Sequence, residues 1–177
     1  MNRVLPTVNL QKWISEHRHL LKPPTGNKMI WEDQNFMIMV VSGPNSRGDF
    51  HINNDEEFYY QLEGDMHIRV RQDGKTINCP VKQGEMFLLP VGIPHSPQRT
   101  AGTLGMLVLR KRPDTDTDGF AWYCEKCDAP LWETHVHISD FEKQLPPLFD
   151  SFYGNPERST CKSCGLRATP MTAKKAE

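Results

Sequence analysis

The sequence predicts an all-β protein, a barrel or sandwich of short strands, preceded by one helix and followed by a small helical segment with paired cysteines. Three observations lead there. From about Trp31 to Arg110, short apolar stretches recur between turn signals with no helical pattern between them. Within that region Met66–Arg71 alternates cleanly, Met66, Ile68 and Val70 on one face and His67, Arg69 and Arg71 on the other. Outside it, apolar residues recur at helical spacing near the N-terminus and again after position 140.

The first element is an amphipathic helix. Asn9 is its N-cap, Leu10, Trp13, Ile14, His17, Leu20 and Leu21 fall on one stripe, and Pro23 and Pro24 stop it. Strands follow at Phe36 to Val41, Glu57 to Leu62, Met66 to Arg71, Ile77 to Val81, Glu85 to Leu89 and Leu104 to Arg110, with Asp73-Gly74 as a turn. After Arg112 the chain is polar and turn-rich through Asp118. Ser139 and Glu142 suggest a capping box for a short helix. Pro146 and Pro147 start a second helical stretch with Leu148, Phe149 and Phe152, ended by Gly154.

A length of 177 residues implies one domain, 1–177, with a barrel core at about 31–112 and an appendage at 120–168. Such a chain buries roughly two thirds of its unfolded surface and needs no staples. A net charge of -1, with both signs scattered, gives no electrostatic case for nucleic acid or a membrane surface. No apolar run reaches the ~20 residues that span a bilayer, and Met1 to Leu10 lacks the pattern of a secretory signal. The expected compartment is the cytoplasm, where disulfides are rare.

Metal-ligating residues cluster in two segments. One is His51-Ile-Asn-Asn-Asp-Glu-Glu57, followed by Gly64. The other joins Gly84, Pro90, Gly92 and His95. Their spacing resembles the two motifs of the cupin superfamily, which implies a double-stranded β-helix, or jelly-roll, barrel whose inward side chains share one metal. Two positions depart from the superfamily pattern. Asn53 stands where many cupins have a second histidine, and Arg99 where the second motif often ends in asparagine. The remaining two imidazoles and one carboxylate, on His51, Glu57 and His95, form the facial set that suits Fe(II) and keeps coordination positions open. A lone histidine is more often a satisfied polar residue, and His17, His19 and His67 are read that way.

Four of the five cysteines form two CxxC pairs, Cys124 with Cys127 and Cys161 with Cys164. Two such turns close a tetrahedral site with no open position, which is structural and accepts iron or zinc. A redox role needs only one pair, at the start of a helix. Cys79, before Pro80, reads as an inert buried thiol.

The surrounding residues narrow the field. They include Leu20-Leu21-Lys22-Pro23-Pro24, Gly43-Pro44-Asn45-x-Arg47, Phe58-Tyr59-Tyr60-Gln61, Ser96-Pro97-Gln98-Arg99, Trp122-Tyr123-Cys124 and the closing Cys161-x2-Cys164. From about Leu10 to Gly165 the chain resembles the bacterial 3-hydroxyanthranilate 3,4-dioxygenases. That resemblance implies an Fe(II)-dependent extradiol cleavage of a small aromatic acid by O2, giving 2-amino-3-carboxymuconate semialdehyde, which cyclises to quinolinate. It also implies a homodimer, and it gives Arg47 and Arg99 the task of binding the substrate carboxylate, for which a planar guanidinium is suited. One position departs from the family. Arg110 replaces a glutamate associated with deprotonating the substrate hydroxyl, and an arginine is no base. By alternation with Met106 and Val108, Arg110 is a candidate to enter the barrel, where it would stabilise a phenolate or another anion. A sibling dioxygenase for another aminophenol or catechol acid, and a non-enzymatic cupin binding a small acid, are the competing readings.

Overall fold

The computed structural model describes residues 4–22, 26–31 and 35–171. Helix α1 (Leu10–His17) begins as its sequence dictates, with the Asn9 side-chain oxygen accepting a hydrogen bond from the Lys12 N–H at 3.0 Å. Its apolar stripe buries Ile14, which joins Leu21, Val40 and Leu104 in one cluster. The helix tightens into a 3-10 turn over Arg18–Leu20. It has therefore lost α geometry before the prolines expected to stop it, and Pro23 and Pro24 lie outside the described residues.

Eleven strands follow among the described residues. Five of them, β1 (Asn27–Met29), β2 (Phe36–Ser42), β4 (Glu57–Glu63), β7 (Met86–Leu89) and β9 (Leu104–Arg110), form one antiparallel sheet in the order β1-β2-β9-β4-β7. The other six are β3 (Phe50–Ile52), β5 (Met66–Gln72), β6 (Lys75–Val81), β8 (His95–Arg99), β10 (Asp118–Tyr123) and β11 (Pro130–Val136). They pair in the order β11-β10-β3-β8-β5-β6. The two-residue period of β5 is visible in its burial, with Met66, Ile68 and Val70 buried and His67 exposed. Those three side chains meet Tyr59 and Leu89 of the facing sheet, so the core lies between the sheets. Truncating Ile68, which has no exposed surface, costs about 2–5 kcal/mol.

The structure departs from the sequence expectation in three places. The barrel does not end near 112, because β10 and β11 extend the six-stranded sheet. The physical reason is that β10 finds partners on both sides, Phe120 opposite His51 of β3 and Trp122 opposite Trp132 of β11. The two expected C-terminal helices are one, α2 (Phe141–Tyr153), running through Pro146 and Pro147. The prolines remove two backbone donors, yet Leu145, Leu148, Phe149 and Phe152 pack with Phe120 and Trp122, and that burial holds the helix together. Its cap is Asp140, which accepts from the Lys143 N–H, while Gln144 Oε1 accepts from the N–H groups of Ser139 and Asp140. The Glu142 side chain of the expected capping box lies outside the described residues. A short helix α3 (Pro156–Ser159) completes the chain's regular structure. Among the described residues no helix is long and apolar enough to cross a membrane.

Candidate active site

The two histidines lie side by side on the six-stranded sheet, His51 of β3 directly opposite His95 of β8. Glu57 opens β4 on the facing sheet. All three are buried, and their ligand atoms lie within 4.8 Å of one another. His95 Nδ1 is 3.0 Å from the Ile93 carbonyl, which leaves Nε2 to face Glu57 at 3.4 Å. A buried carboxylate needs partners, and Glu57 has them. Asn53 Nδ2 donates to its Oε1 and the Tyr59 hydroxyl to its Oε2. Burial pushes the Glu57 carboxyl up, but the hydrogen bond from His95, the two imidazoles and Tyr59 outweigh it and hold the group well below the usual carboxylate range. Burial, with Glu57 beside it, pushes the Tyr59 phenol well up, so it stays a donor. Burial lowers His51, against the pull of Asp118, and keeps its imidazole neutral. Two imidazoles and one anionic oxygen, converging within 4.8 Å, fit a divalent iron of the facial type.

Two arginines flank the cluster, and their circumstances differ. The 44–49 loop is pinned to β8, where Asn45 and Arg99 exchange backbone hydrogen bonds at 2.8 Å. Gln98 Nε2 and the Ser96 hydroxyl donate to the Arg47 carbonyl. That approach is possible because position 43 is glycine; a Cβ there would lie 1.9 Å from the Thr100 carbonyl oxygen. Arg47 spends its fork on Asp49, through Nε and a terminal nitrogen. Burial lowers its pKa, but Asp49 more than compensates and raises it. Arg99 is 5% exposed, has no carboxylate partner among the described residues, and leaves its Nε unbonded. Burial lowers its pKa, with Tyr59 and Glu57 opposing. Gly105 lies beside it and makes room for Gln61, since a Cβ there would sit 2.9 Å from Gln61 Oε1 but at an ordinary 3.8 Å from Arg99.

Arg110 is placed apart from this group. Its side chain is 61% exposed and lies 3.5 Å from Asp55, on a recess lined by Asn53, Asp55, Arg112 and Asp118. The expectation that it enters the barrel is not met, because Leu107 and Leu109 are the inward residues of β9, so the alternation that Arg110 shares with Met106 and Val108 carries it to the outer face, where it finds a surface carboxylate.

Sequence reasoning missed Asp49, Tyr59 and Asp118 as site residues. Asp49 and Tyr59 sit two positions from His51 and Glu57, so the strand period alone could have flagged them. Asp118 carries no such signal. It lies in a stretch that reads as a polar turn, and only the pairing of β10 with β3 brings it to His51, whose Nε2 is 2.6 Å away.

The four cysteines also come together, with Cys124 Sγ 3.5 Å from Cys164 Sγ and Cys127 Sγ 3.6 Å from Cys161 Sγ. A disulfide would need ~2.05 Å; thiolates on a tetrahedral zinc or iron lie at about 3.8 Å, from metal–sulfur bonds of ~2.3 Å. The two turns share one geometry. The N–H of Asp128 bonds the Cys124 carbonyl and that of Gly165 the Cys161 carbonyl, both at 2.8 Å. Both residues have positive φ, 59° and 74°. Burial raises the Cys161 thiol, but N–H groups of Cys164 and Ser163 and the neighbouring sulfurs bring it down to about 6. Arg71 of β5 ties the first turn to the barrel through Asp128 at 2.6 Å. Cys79 is half-buried against the barrel core.

A family model described as 3-hydroxyanthranilic acid dioxygenase matches residues 1–153. A 3-hydroxyanthranilate 3,4-dioxygenase of Xanthomonas euvesicatoria pv. vesicatoria is 46% identical over 162 residues, covering 92% of each chain. One from Bacillus thuringiensis is 42% identical over 166 residues, covering 93% of each. Among solved structures, a cupin-2 domain protein from Shewanella frigidimarina aligns with TM-score 0.46 and 21% identity, covering 59% of this chain and 94% of its own. The fold is two facing antiparallel sheets, and at this coverage and identity the chain belongs to the 3-hydroxyanthranilate 3,4-dioxygenase family.

Proposed function

We propose that this chain cleaves the ring of 3-hydroxyanthranilate with O2, at an Fe(II) held by His51, Glu57 and His95. The observation that carries the reading is the buried cluster of two imidazoles and one carboxylate beside a cation, Arg99, that has no carboxylate partner among the described residues and leaves its Nε unbonded. Iron bound there supplies a Lewis-acidic, redox-active centre at which an aromatic ring and O2 react. The protein's own groups do the rest. Arg99 binds the substrate carboxylate and orients the ring, because a buried guanidinium with a free edge favours a planar anion. Arg47, aimed by Asp49, adds a second positive charge to the same pocket. Asn53 and Tyr59 keep Glu57 anionic and fixed. Both oxygen atoms enter the product, 2-amino-3-carboxymuconate semialdehyde, which closes to quinolinate without further catalysis.

The four-cysteine site holds iron or zinc as a structural clip in this reading. Homodimerisation is supported by the outer face of the five-stranded sheet, where Ile38, Val108, Phe58 and Leu88 lie in register across four strands. Leu88 and Met86 are 55% and 69% exposed there. The protein works in the cytoplasm, where its thiols stay reduced. O2 consumption by Fe(II)-loaded protein with 3-hydroxyanthranilate, followed by the ultraviolet absorbance of the ring-opened product, tests the assignment. Protein of verified iron content that takes up no O2 refutes it, and turnover of a different aminophenol or catechol acid would move it to a sibling dioxygenase.

A further inference from the structure

We propose that Asp118, held in turn by Arg112, is the positioning residue for His51, fixing its imidazole for metal binding from outside the two motifs that carry the ligands. The inference rests on His51 being an iron ligand. Backbone pairing fixes where His51 begins but not where its ring points, and β3 is only three residues long. Two side chains of β10 supply the missing constraint. Phe120, directly opposite His51 in the ladder, stacks on the ring at 5.0 Å between centroids and 24° between planes. Asp118, two residues earlier on the same face, brings Oδ1 to 2.6 Å from Nε2. Stacking restricts the tilt of the ring, and the hydrogen bond restricts its rotation.

The chemistry of the contact selects a tautomer. An ionised carboxylate only accepts, so the proton of the neutral imidazole sits on Nε2 and the lone pair on Nδ1. Such an outer carboxylate also makes the imidazole a better donor to a metal. Asp118 is itself well placed to stay fixed. It is 2% exposed, and its Oδ1 also accepts from Arg112 Nε at 2.7 Å, with Arg112 mostly buried. The two ligand histidines are thus anchored by different means, His95 on a backbone carbonyl and His51 on a replaceable side chain.

A plainer role for Asp118 is to neutralise buried Arg112, and that role predicts no change at the metal. The test is Fe(II) affinity of the full chain by chelator competition, comparing wild type, D118A, D118N and H51A, with the metal content of the four-cysteine site followed in the same samples. Cys124 directly follows β10, so a substitution that merely breaks the strand releases both metals. The expected result is a 10- to 100-fold weaker Fe(II) site in D118A with the four-cysteine metal retained. D118N, which keeps an acceptor oxygen, should fall between D118A and wild type. If D118A loses both metals, nearly isosteric D118N decides, and wild-type affinity in D118N overturns the inference. So does D118A binding Fe(II) within twofold of wild type. H51A binding as tightly as wild type would overturn the ligand assignment as well, which separates the two failures.

Discussion

Replacing Arg99 with methionine separates its two expected effects, on substrate and on stability. The side chain is 5% exposed and has no carboxylate partner among the described residues. In the folded enzyme it is a desolvated cation awaiting an anion, so methionine of similar length relieves a burial cost and does not break a native pair. A substrate carboxylate loses two charge-assisted hydrogen bonds, at about 1.5–3 kcal/mol each. Together that is roughly 3–6 kcal/mol, and kcat/KM falls by about two to four orders of magnitude. The melting temperature should stay level or rise. Arg47 is the internal contrast. Arg47→Met strands Asp49, 2% exposed, without its partner. That costs about 3–5 kcal/mol, or roughly 6–20 °C for a domain this size. Steady-state O2 uptake on iron-matched variants, with calorimetry on the same preparations, reads both quantities. A wild-type KM in R99M refutes the carboxylate role, and an R99M melting temperature below that of R47M refutes the electrostatic reasoning.

Three further outcomes are expected. Cys124→Ser removes one of four thiolates, so the second metal is lost and the protein melts several degrees lower while turnover per catalytic iron is kept; an unchanged melting temperature would deny the site a structural role. Although exposed, His67 is partly desolvated by its neighbours, and this, helped by the charge of Arg69, lowers its pKa in the folded state. The folded protein therefore binds fewer protons than the unfolded chain, and a penalty develops as pH falls through the unfolded value of about 6.5. His67→Gln should raise the melting temperature near pH 5 and leave it unchanged near pH 8, and the opposite pattern would reverse the sign of this argument. Arg110→Ala breaks an exposed ion pair with Asp55, so stability changes by about 0–1 kcal/mol and kcat/KM by less than tenfold. A hundredfold loss would place that side chain against the substrate.

Much of this molecule is legible in its sequence, for identifiable reasons. The helix cap at Asn9 is a local hydrogen bond and needs no tertiary information. The strands with strong alternation, such as Met66–Arg71, were readable because half of each faces the core. The convergence of His51, Glu57 and His95 could be read because hairpin spacing fixes which residues face inward, and the cysteine turns because their geometry is local. What escaped depends on distant pairing. β8 reads His-Ser-Pro-Gln-Arg, without apolar period, and is a strand because β3 and β5 hold it on both sides. Asp118 reaches His51 only through the β10–β3 ladder, and α2 survives two prolines only because of aromatic packing from elsewhere. Arg110 shows the converse: alternation holds, but both faces of β9 are apolar, and only the packing of Leu107 and Leu109 on the core reveals that Met106, Val108 and Arg110 face outward.

The spacing of the two cysteine turns also bears on how the molecule comes off the ribosome. Domains form from the N-terminal end as the chain emerges, at roughly 5–20 residues per second. Cys127 and Cys161 are separated by 34 positions, and Cys124 and Cys164 by 40. Every strand of both sheets, with all three residues of the buried triad, lies ahead of Cys161. The last strand is therefore synthesised roughly 1–5 s before the last knuckle at that rate, while the first knuckle waits with only two of its four sulfurs. A metal bound by these four sulfurs would seal a chain whose β-structure has already been synthesised, and would mark a protein made through to Cys164.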